Sequence, residues 1–438
     1  MAYVDRYAAY LEQLPGDILS EKKSGKRTFL AFTSNYDVVL KWDADVFNDL
    51  LDQYLEGEPC AKAGDRIRDM GDFARIAAWC AMNGLGMNFD ITDVRVCDLL
   101  MERFESESSL GGTGAQGAAA LSTVGFPVAV QLTDRSHEVC AMLNQSDMRM
   151  VRGEELIPVM EGASPEDPVY HIILQFAKGD VIRVHGQKMV IPLSNRLIFF
   201  YDTIHKTVPI SEDYLRFLPS HPQMISSLVV AGFDAIVDPE VAKERMGQIR
   251  QMLIRLKESD GTIPVSLEGA FYMNPEVKEI FFGMLGRECS VIGTNEEELA
   301  DLSKRHGQAM DPGDAKDVLN ALEFMIETYG PQGVILHTKD YALFYGDAPD
   351  GVDIEKGLTV GCLMSATRAR CGRYGTMEDL KKSLQLSLSK DGLRFHNLLE
   401  KIPKKRRALL VPSRYMERPR YTIGLGDTFV AGVQTCYI

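Results

Sequence analysis

From residue 226 onward, apolar β-like runs alternate with helical ones, and that alternation limits the fold more than any other feature of the chain. SSLVVAGFDAIV, TIPVSLEGAF, CSVIGTN, GVILHT and YALFYG read as strands. VAKERMGQIRQMLIRLKES, PEVKEIFFGMLGR, EEELADLSKRHG and AKDVLNALEFMIETYG carry the apolar spacing of helices. A parallel connection between strands has to be long enough to hold a helix. The expected class is therefore α/β, a mainly parallel sheet flanked by helices on both faces. Ligands of such sheets bind beyond the carboxyl ends of the strands, at points where the connections diverge.

The first half of the chain interrupts this pattern twice. Residues 1–20 read as an amphipathic helix that ends at Pro15-Gly16 or just beyond. Thr28 to Phe32 reads as a strand that runs into polar Thr33-Ser34-Asn35. Residues 43–105 are mostly helical in pattern, LGGTGAQGAAALSTVG is a glycine turn into a small-residue helix, and FPVAVQL is a strand. YHIILQFAKG and NRLIFFYD, with KGDVIRVHGQKM between them, suggest a hairpin or meander. The two interruptions, 38–108 and 165–203, are expected to combine into one discontinuous lid over the strand ends. Residues 1–37, 109–164 and 204–438 then form the core.

The net charge of −14 argues against a general nucleic-acid or anionic-membrane binder, although a local Arg/Lys pocket still serves a small anion. None of the eight cysteines forms a CxxC pair or a zinc-like spacing, so they read as reduced thiols. No signal-peptide core is visible, and no apolar run reaches the roughly 18 residues of a membrane helix. The expectation is a cytoplasmic protein, with a monomer as the default.

Polar residues gather where the strands should end. Thr422-Ile423-Gly424-Leu425-Gly426-Asp427-Thr428 is a glycine turn ahead of an apolar run that can be helical. Free N–H groups at a helix start bind anions, and glycine lets backbone come close to a ligand. Asp427 either complements the helix dipole or takes a proton from a hydroxyl held beside that anion. Asn35-Tyr36-Asp37 can hold a polyol or form an Asx turn. Gly111-Gly112-Thr113-Gly114 opens a helix, as a ligand cradle or as a tight loop. Glu268, Asn295 and Glu298 sit at adjacent strand tips, where oxygen ligands suit hydrated Mg²⁺ but acids also favour a helix start. His337-Thr338 ends GVILHT. Lys178 and Arg196 are either solvated hairpin charges or lid cations that reach a phosphate.

Taken in order, these segments resemble the ADP-dependent sugar kinases, the glucokinases and phosphofructokinases of the ribokinase-like superfamily. The resemblance runs from about residue 28 to the end. It is carried by Asn35-Tyr36-Asp37, Gly111-Gly112, Tyr170-His171 through Lys178-Gly179, Asn195-Arg196 and Asn295-Glu296-Glu297-Glu298. His337-Thr338, Val411-Pro412-Ser413-Arg414 and the terminal Thr422–Thr428 motif complete it, the last being the most specific. Ser266-Leu267-Glu268 departs from the family's His-x-Glu.

The resemblance implies a ribokinase-like core that carries the nucleotide, and a smaller α/β lid that closes over the sugar. ADP would give its β-phosphoryl group to a hydroxyl of a sugar or sugar phosphate, of the glucose or fructose 6-phosphate type, and leave as AMP. Asp427 would be the base, the backbone of Gly424, Leu425 and Gly426 the anion hole, and Arg196 a cation supplied by the lid. Asn35, Asp37, Gly111, Gly112, His171 and Lys178 would hold the acceptor. His337, Thr338, Val411 and Asn295 would line the nucleotide site, and Glu268, Asn295 and Glu298 would hold Mg²⁺. Two alternatives stay open: an ATP-dependent ribokinase-like sugar or nucleoside kinase, and a sugar or nucleotide sensor without turnover. Asp427 between glycines and helix speaks against the sensor, because binding alone needs no base.

Overall fold

The computed structural model describes residues 3–349 and 351–438. A ten-stranded sheet dominates it. Gly333–His337, Val291–Asn295, Val265–Glu268, Ile225–Ala231, Arg27–Phe32, Val128–Leu132 and Met148–Arg152 lie side by side in that order, all parallel. Tyr341–Gly346 and Arg407–Pro412 extend one edge antiparallel, and Glu155–Pro158 closes the other. Ile225–Ala231 is buried at every position, as a strand covered by helices on both faces requires.

The smaller sheet has six strands, in the order Arg66–Ile67, Met87–Ile91, Asn195–Tyr201, Tyr170–Phe176, Asn35–Leu40 and Ser106–Gly111. One face packs on the helices Ala44–Tyr54, Met70–Asn83 and Val94–Arg103 through a core that includes Phe73, Phe89, Ile172, Leu174 and Phe199. Asn35–Leu40 and Ser106–Gly111 straddle the expected limits at 37 and 109, yet both lie wholly in this sheet. The chain therefore changes sheets at Thr33-Ser34 and again at Gly112. The 43–105 segment, expected to be mostly helical, also contains Arg66–Ile67 and Met87–Ile91.

Tyr170–Phe176 and Asn195–Tyr201 pair antiparallel, while the sequence between them folds into a separate hairpin, Val181–Val184 with Gln187–Val190. The first helix does not end at Pro15. It runs Tyr3–Ser24 with Pro15 inside, because Tyr7, Leu11 and Leu14 are all buried against the core and their burial outweighs one missing backbone bond.

The last long helix, Leu425–Val433, lies against Ile354–Cys371. A side chain at Gly432 would meet the Gly361 backbone at 2.6 Å, so two glycines let the helix axes come close there. That approach brings Arg368, two turns beyond Gly361, beside the turn that starts the last helix.

Candidate active site

The carboxyl ends of neighbouring parallel strands deliver the polar residues in spatial order. His337, Asn295 and Glu268 end three adjacent strands. Asp234 follows the next strand, Ser34 and Asn35 the next, and Thr133 the one after. The arrangement is a row, with the candidate anion end at the glycine turn and the candidate polyol end at Asn35, Asp37 and His171.

At the anion end, Gly424 has φ +68 and caps Leu425–Val433, so its turn directs the first N–H groups of that helix outward. Asp427 lies in the first turn and accepts a hydrogen bond from Gln116 Nε2 at 2.9 Å. Burial raises the pKa of Asp427, and Asp37 adds to the rise, while the Thr113 hydroxyl, Arg368 and His337 oppose it. Gln116 and Arg368 carried no motif signal. What could have found them is polarity out of place: an amide within GAQGAAAL and an arginine within the small-residue run SATRARC.

Glu268 is buried and paired with His337, whose Nε2 lies 2.8 Å from Oε1. Burial raises the Glu268 pKa and the nearby Glu298 and Asp427 raise it further, against the opposing pull of His337. Burial disfavours the His337 cation, but Glu268, Glu298 and Glu296 outweigh that and its pKa rises. Gly426 is so close that an added Cβ would meet His337 Cε1 at 3.4 Å. His337 therefore stands between the carboxylate and the glycine turn.

Asn295 reaches the cavity beside this cluster and also caps a helix. Its Oδ1 accepts the backbone N–H groups of Glu297 and Glu298, and its Nδ2 donates to Glu298 Oε1 at 2.7 Å. It caps Glu296–Arg305 in a capping box and holds Glu298 in place. The remaining donors, Glu268 and Glu298, are carboxylates close enough to feel one another, a set that fits a hard divalent cation.

A cavity of about 500 Å³ opens beside this cluster, lined in part by Asn295, His337, Thr338, Ser413, Arg414 and Gly426. Its size suits a small-molecule ligand. Val411 is not in its wall. That side chain is 1% exposed and belongs to the core, because successive strand residues face opposite ways. Ser413 and Arg414, just past the strand end, form the wall instead.

At the polyol end, Asn35 Nδ2 lies 2.5 Å from Asp37 Oδ1 and 3.1 Å from His171 Nδ1. Gly111 is the register partner of Asn35, and Gly112 caps Thr113–Val124. Register places Asp37, His171 and Phe200 side by side on the face opposite the small sheet's helices. Gln175 and Arg196 pair on that same face, four residues further along, about 13 Å at strand rise. Lys178 follows just beyond the strand, its backbone N–H on Ser194 Oγ at 2.8 Å. Arg196 is thus an exposed rim residue, four positions along the strands from the Asp37–His171 pair. Asp234, which no motif marked, senses His171, His205 and Glu298 and joins the two ends of the row.

Among the described residues, His171, Asp202 and His205 form a group of three whose possible ligand atoms all lie within 4.8 Å of one another. Both ring nitrogens of His205 are already engaged, Nδ1 by Asp202 at 3.2 Å and Nε2 by Thr133 Oγ1 at 2.9 Å. The trio reads as a hydrogen-bonded joint.

The conserved region of ADP-specific phosphofructokinases and glucokinases matches residues 26–433. The ADP-specific phosphofructokinase of Pyrococcus abyssi is 23% identical, over 94% of this chain and 97% of its own length. The ADP-dependent glucose/glucosamine kinase of the same organism is 24% identical, over 80% of each. Among solved structures, a last common ancestor of ADP-dependent phosphofructokinases from Methanosarcinales superposes with a TM-score of 0.84 at 19% identity, covering 100% of this chain and 99% of that one. An ADP-dependent kinase in complex with fructose-6-phosphate and ADPβS gives 0.71 at 18% identity, covering 98% and 97%.

Proposed function

The chain belongs to the ADP-specific phosphofructokinase/glucokinase family, phosphotransferases that act on sugar hydroxyls with ADP as donor, and we propose that its acceptor is a hexose phosphate of the fructose 6-phosphate type. The observation that carries this choice is the pair of cations on the rim of the small sheet. Lys178 and Arg196 are exposed, and among the described residues neither has an acidic partner within 4 Å. A sugar seated on Asn35, Asp37 and His171, with one hydroxyl at Asp427, extends its far end toward that rim. Free glucose has nothing there for two cations to bind. A sugar phosphate has.

The chain's own groups suffice for most of the chemistry. Phosphoryl transfer depends mainly on positioning and charge neutralisation. Asp427 accepts the proton of the attacking hydroxyl, and the N–H groups of Gly424 to Asp427 take the charge of the transferring group. The cavity beside His337 and Thr338 takes the nucleotide. Glu268 and Glu298, the latter held by Asn295, are the residues that would bind Mg²⁺. When bound, Mg²⁺ neutralises phosphate charge at the donor. The small sheet acts as a lid whose closure excludes water and limits hydrolysis of ADP.

The test is AMP formation from ADP with fructose 6-phosphate or glucose as acceptor, read by mass spectrometry, in the native chain and in Lys178→Ala and Arg196→Ala. Each substitution removes a charge-assisted phosphate contact and should raise KM for fructose 6-phosphate about 10- to 100-fold. Turnover of glucose that equals that of fructose 6-phosphate and ignores both substitutions would return the assignment to a glucokinase. Turnover of ATP alone would remove ADP as donor.

A further inference from the structure

Arg368 is 2% exposed, yet among the described residues no carboxylate pairs with it directly. Its guanidinium lies 4.0 Å from the ring centre of Tyr374 and 5.2 Å from that of Tyr421. Nη2 donates to Gln116 Oε1 at 2.8 Å and Nε donates to the Ile423 carbonyl at 3.0 Å. Among the described residues Nη1 has no partner, although it is buried. Burying a guanidinium in this way is costly, and an arginine kept only for packing has no reason to carry that cost.

Its two contacts lead to the two halves of the chemistry. Gln116 has its Oε1 occupied by Arg368 and, at 3.4 Å, by the Tyr374 hydroxyl. Only its NH₂ end is left to face Asp427, and it donates to Oδ2. The Asp427 carboxylate is thereby held in rotation at Oδ2. Ile423 directly precedes Gly424, so the bond to its carbonyl ties down the turn that presents the anion-hole N–H groups. A Cβ on Gly424 would collide with Gln116 Oε1 and meet Arg368 Nη2 at 2.9 Å. The first glycine of the motif is therefore small partly because this pair packs against it.

We propose that Arg368 is a positioning residue for phosphoryl transfer: through Gln116 it orients the base Asp427, and through the Ile423 carbonyl it holds the glycine turn, so that base and anion hole share one rigid geometry. The proposal rests on Asp427 being the base. It predicts an effect on kcat, because the groups it positions act in the transition state, and little effect on binding of either substrate.

The experiment measures kcat, both KM values and thermal midpoint for Arg368→Ala, Gln116→Met, the double variant and Asp427→Asn. Loss of alignment at the reacting atoms should lower kcat in Arg368→Ala by about 100-fold, with each KM within about threefold. Free guanidinium should restore part of that rate, since the slot between the two tyrosines remains, whereas ethylammonium should not. The double variant should lose more than Gln116→Met, by the part that runs through the Ile423 carbonyl, but less than the product of the two single losses, because the route through Gln116 is shared. If Arg368→Ala fails to fold, the same kcat-against-KM split in Gln116→Met carries the test. A folded Arg368→Ala with native kcat would overturn the proposal, as would a loss that follows thermal midpoint and is not rescued by guanidinium. Asp427→Asn separates the two readings. If it is inactive while Arg368→Ala is fully active, only the positioning role fails. If Asp427→Asn stays active, the base assignment itself fails.

Discussion

Asp427 carries the largest single prediction at the scale of a residue. Its replacement by Asn keeps the shape and the hydrogen bond from Gln116 but removes the proton acceptor, so kcat should fall about 10²- to 10⁴-fold without a matching loss of stability. Burial raises the pKa of this carboxyl, helped by Asp37 and opposed by Thr113, Arg368 and His337. As the proposed base, it works only when deprotonated. The acid limb of a kcat–pH profile should therefore lie above the ordinary carboxylate range, with activity lost as pH falls through the raised value. A limb at the pKa of an exposed aspartate would contradict this half-buried, desolvated setting. The glycine turn and helix start around Asp427 were legible in the sequence because they are contiguous: two glycines, one acid and an apolar run. Arg368 and Gln116 were not, because their partners come from residues far away in the chain and neither has a local pattern. Val411 failed for the opposite reason. It lies in a recognisable segment, but strand alternation turns its side chain into the core and leaves Ser413 and Arg414 to meet the cavity.

At the scale of an element, the helix Glu296–Arg305 shows a cap serving a site. Asn295 holds the helix start and the Glu298 carboxylate with one amide. Asn295→Ala should cost about 0.5–2 kcal/mol in urea unfolding, the usual value of a lost N-cap. It should also raise the Mg²⁺ concentration needed for half-maximal rate, because Glu298 loses its 2.7 Å partner. Asn295→Asp keeps the capping oxygen but brings a second carboxylate beside Glu298, so it should recover stability and not the metal response. Equal Mg²⁺ demand in all three proteins would leave Asn295 a cap and nothing more. The long elements after residue 226 were readable because helix and strand periods differ and each run is long enough to show its own. Arg66–Ile67 and Met87–Ile91 escaped because strands this short show no period, and MNFDI owes its state to its neighbours in the sheet. Pro15 misled for a related reason: a local breaker was overruled by the burial of one helix face.

At the scale of the whole molecule, the question is what joins the two sheets. Three pieces of chain meet at His205, which is 4% exposed. Its Nε2 lies 2.9 Å from Thr133 Oγ1, at the end of a strand of the large sheet. The same oxygen accepts the N–H of Ser34, where the chain first crosses between sheets. Its Nδ1 faces Asp202, just past the last strand of the small sheet. Burial disfavours charge on both members, but their mutual attraction wins: Asp202 is held below the ordinary carboxylate range and His205 is raised above the ordinary imidazole value. Asp234 and Asp134 also favour the His205 cation. The two halves have opposite pH signs. The depressed Asp202 contributes stability that is present above the unfolded carboxylate pKa and is lost as pH falls through its folded value. The raised His205 contributes stability that is complete below the unfolded imidazole pKa, about 6.5, and is lost as pH rises through its folded value. The joint is therefore strongest in mildly acidic solution and weakens on the alkaline side. Asp202→Asn leaves His205 without its counter-charge, and near pH ~6 it should cost about 3–5 kcal/mol, the range for breaking a buried pair. Because the substitution also removes the reason for the raised His205 pKa, the difference between native and variant stability should shrink as pH rises past neutrality. Urea unfolding across that range measures it directly, and a difference that stays constant with pH would mean that packing, and not this ion pair, joins the sheets.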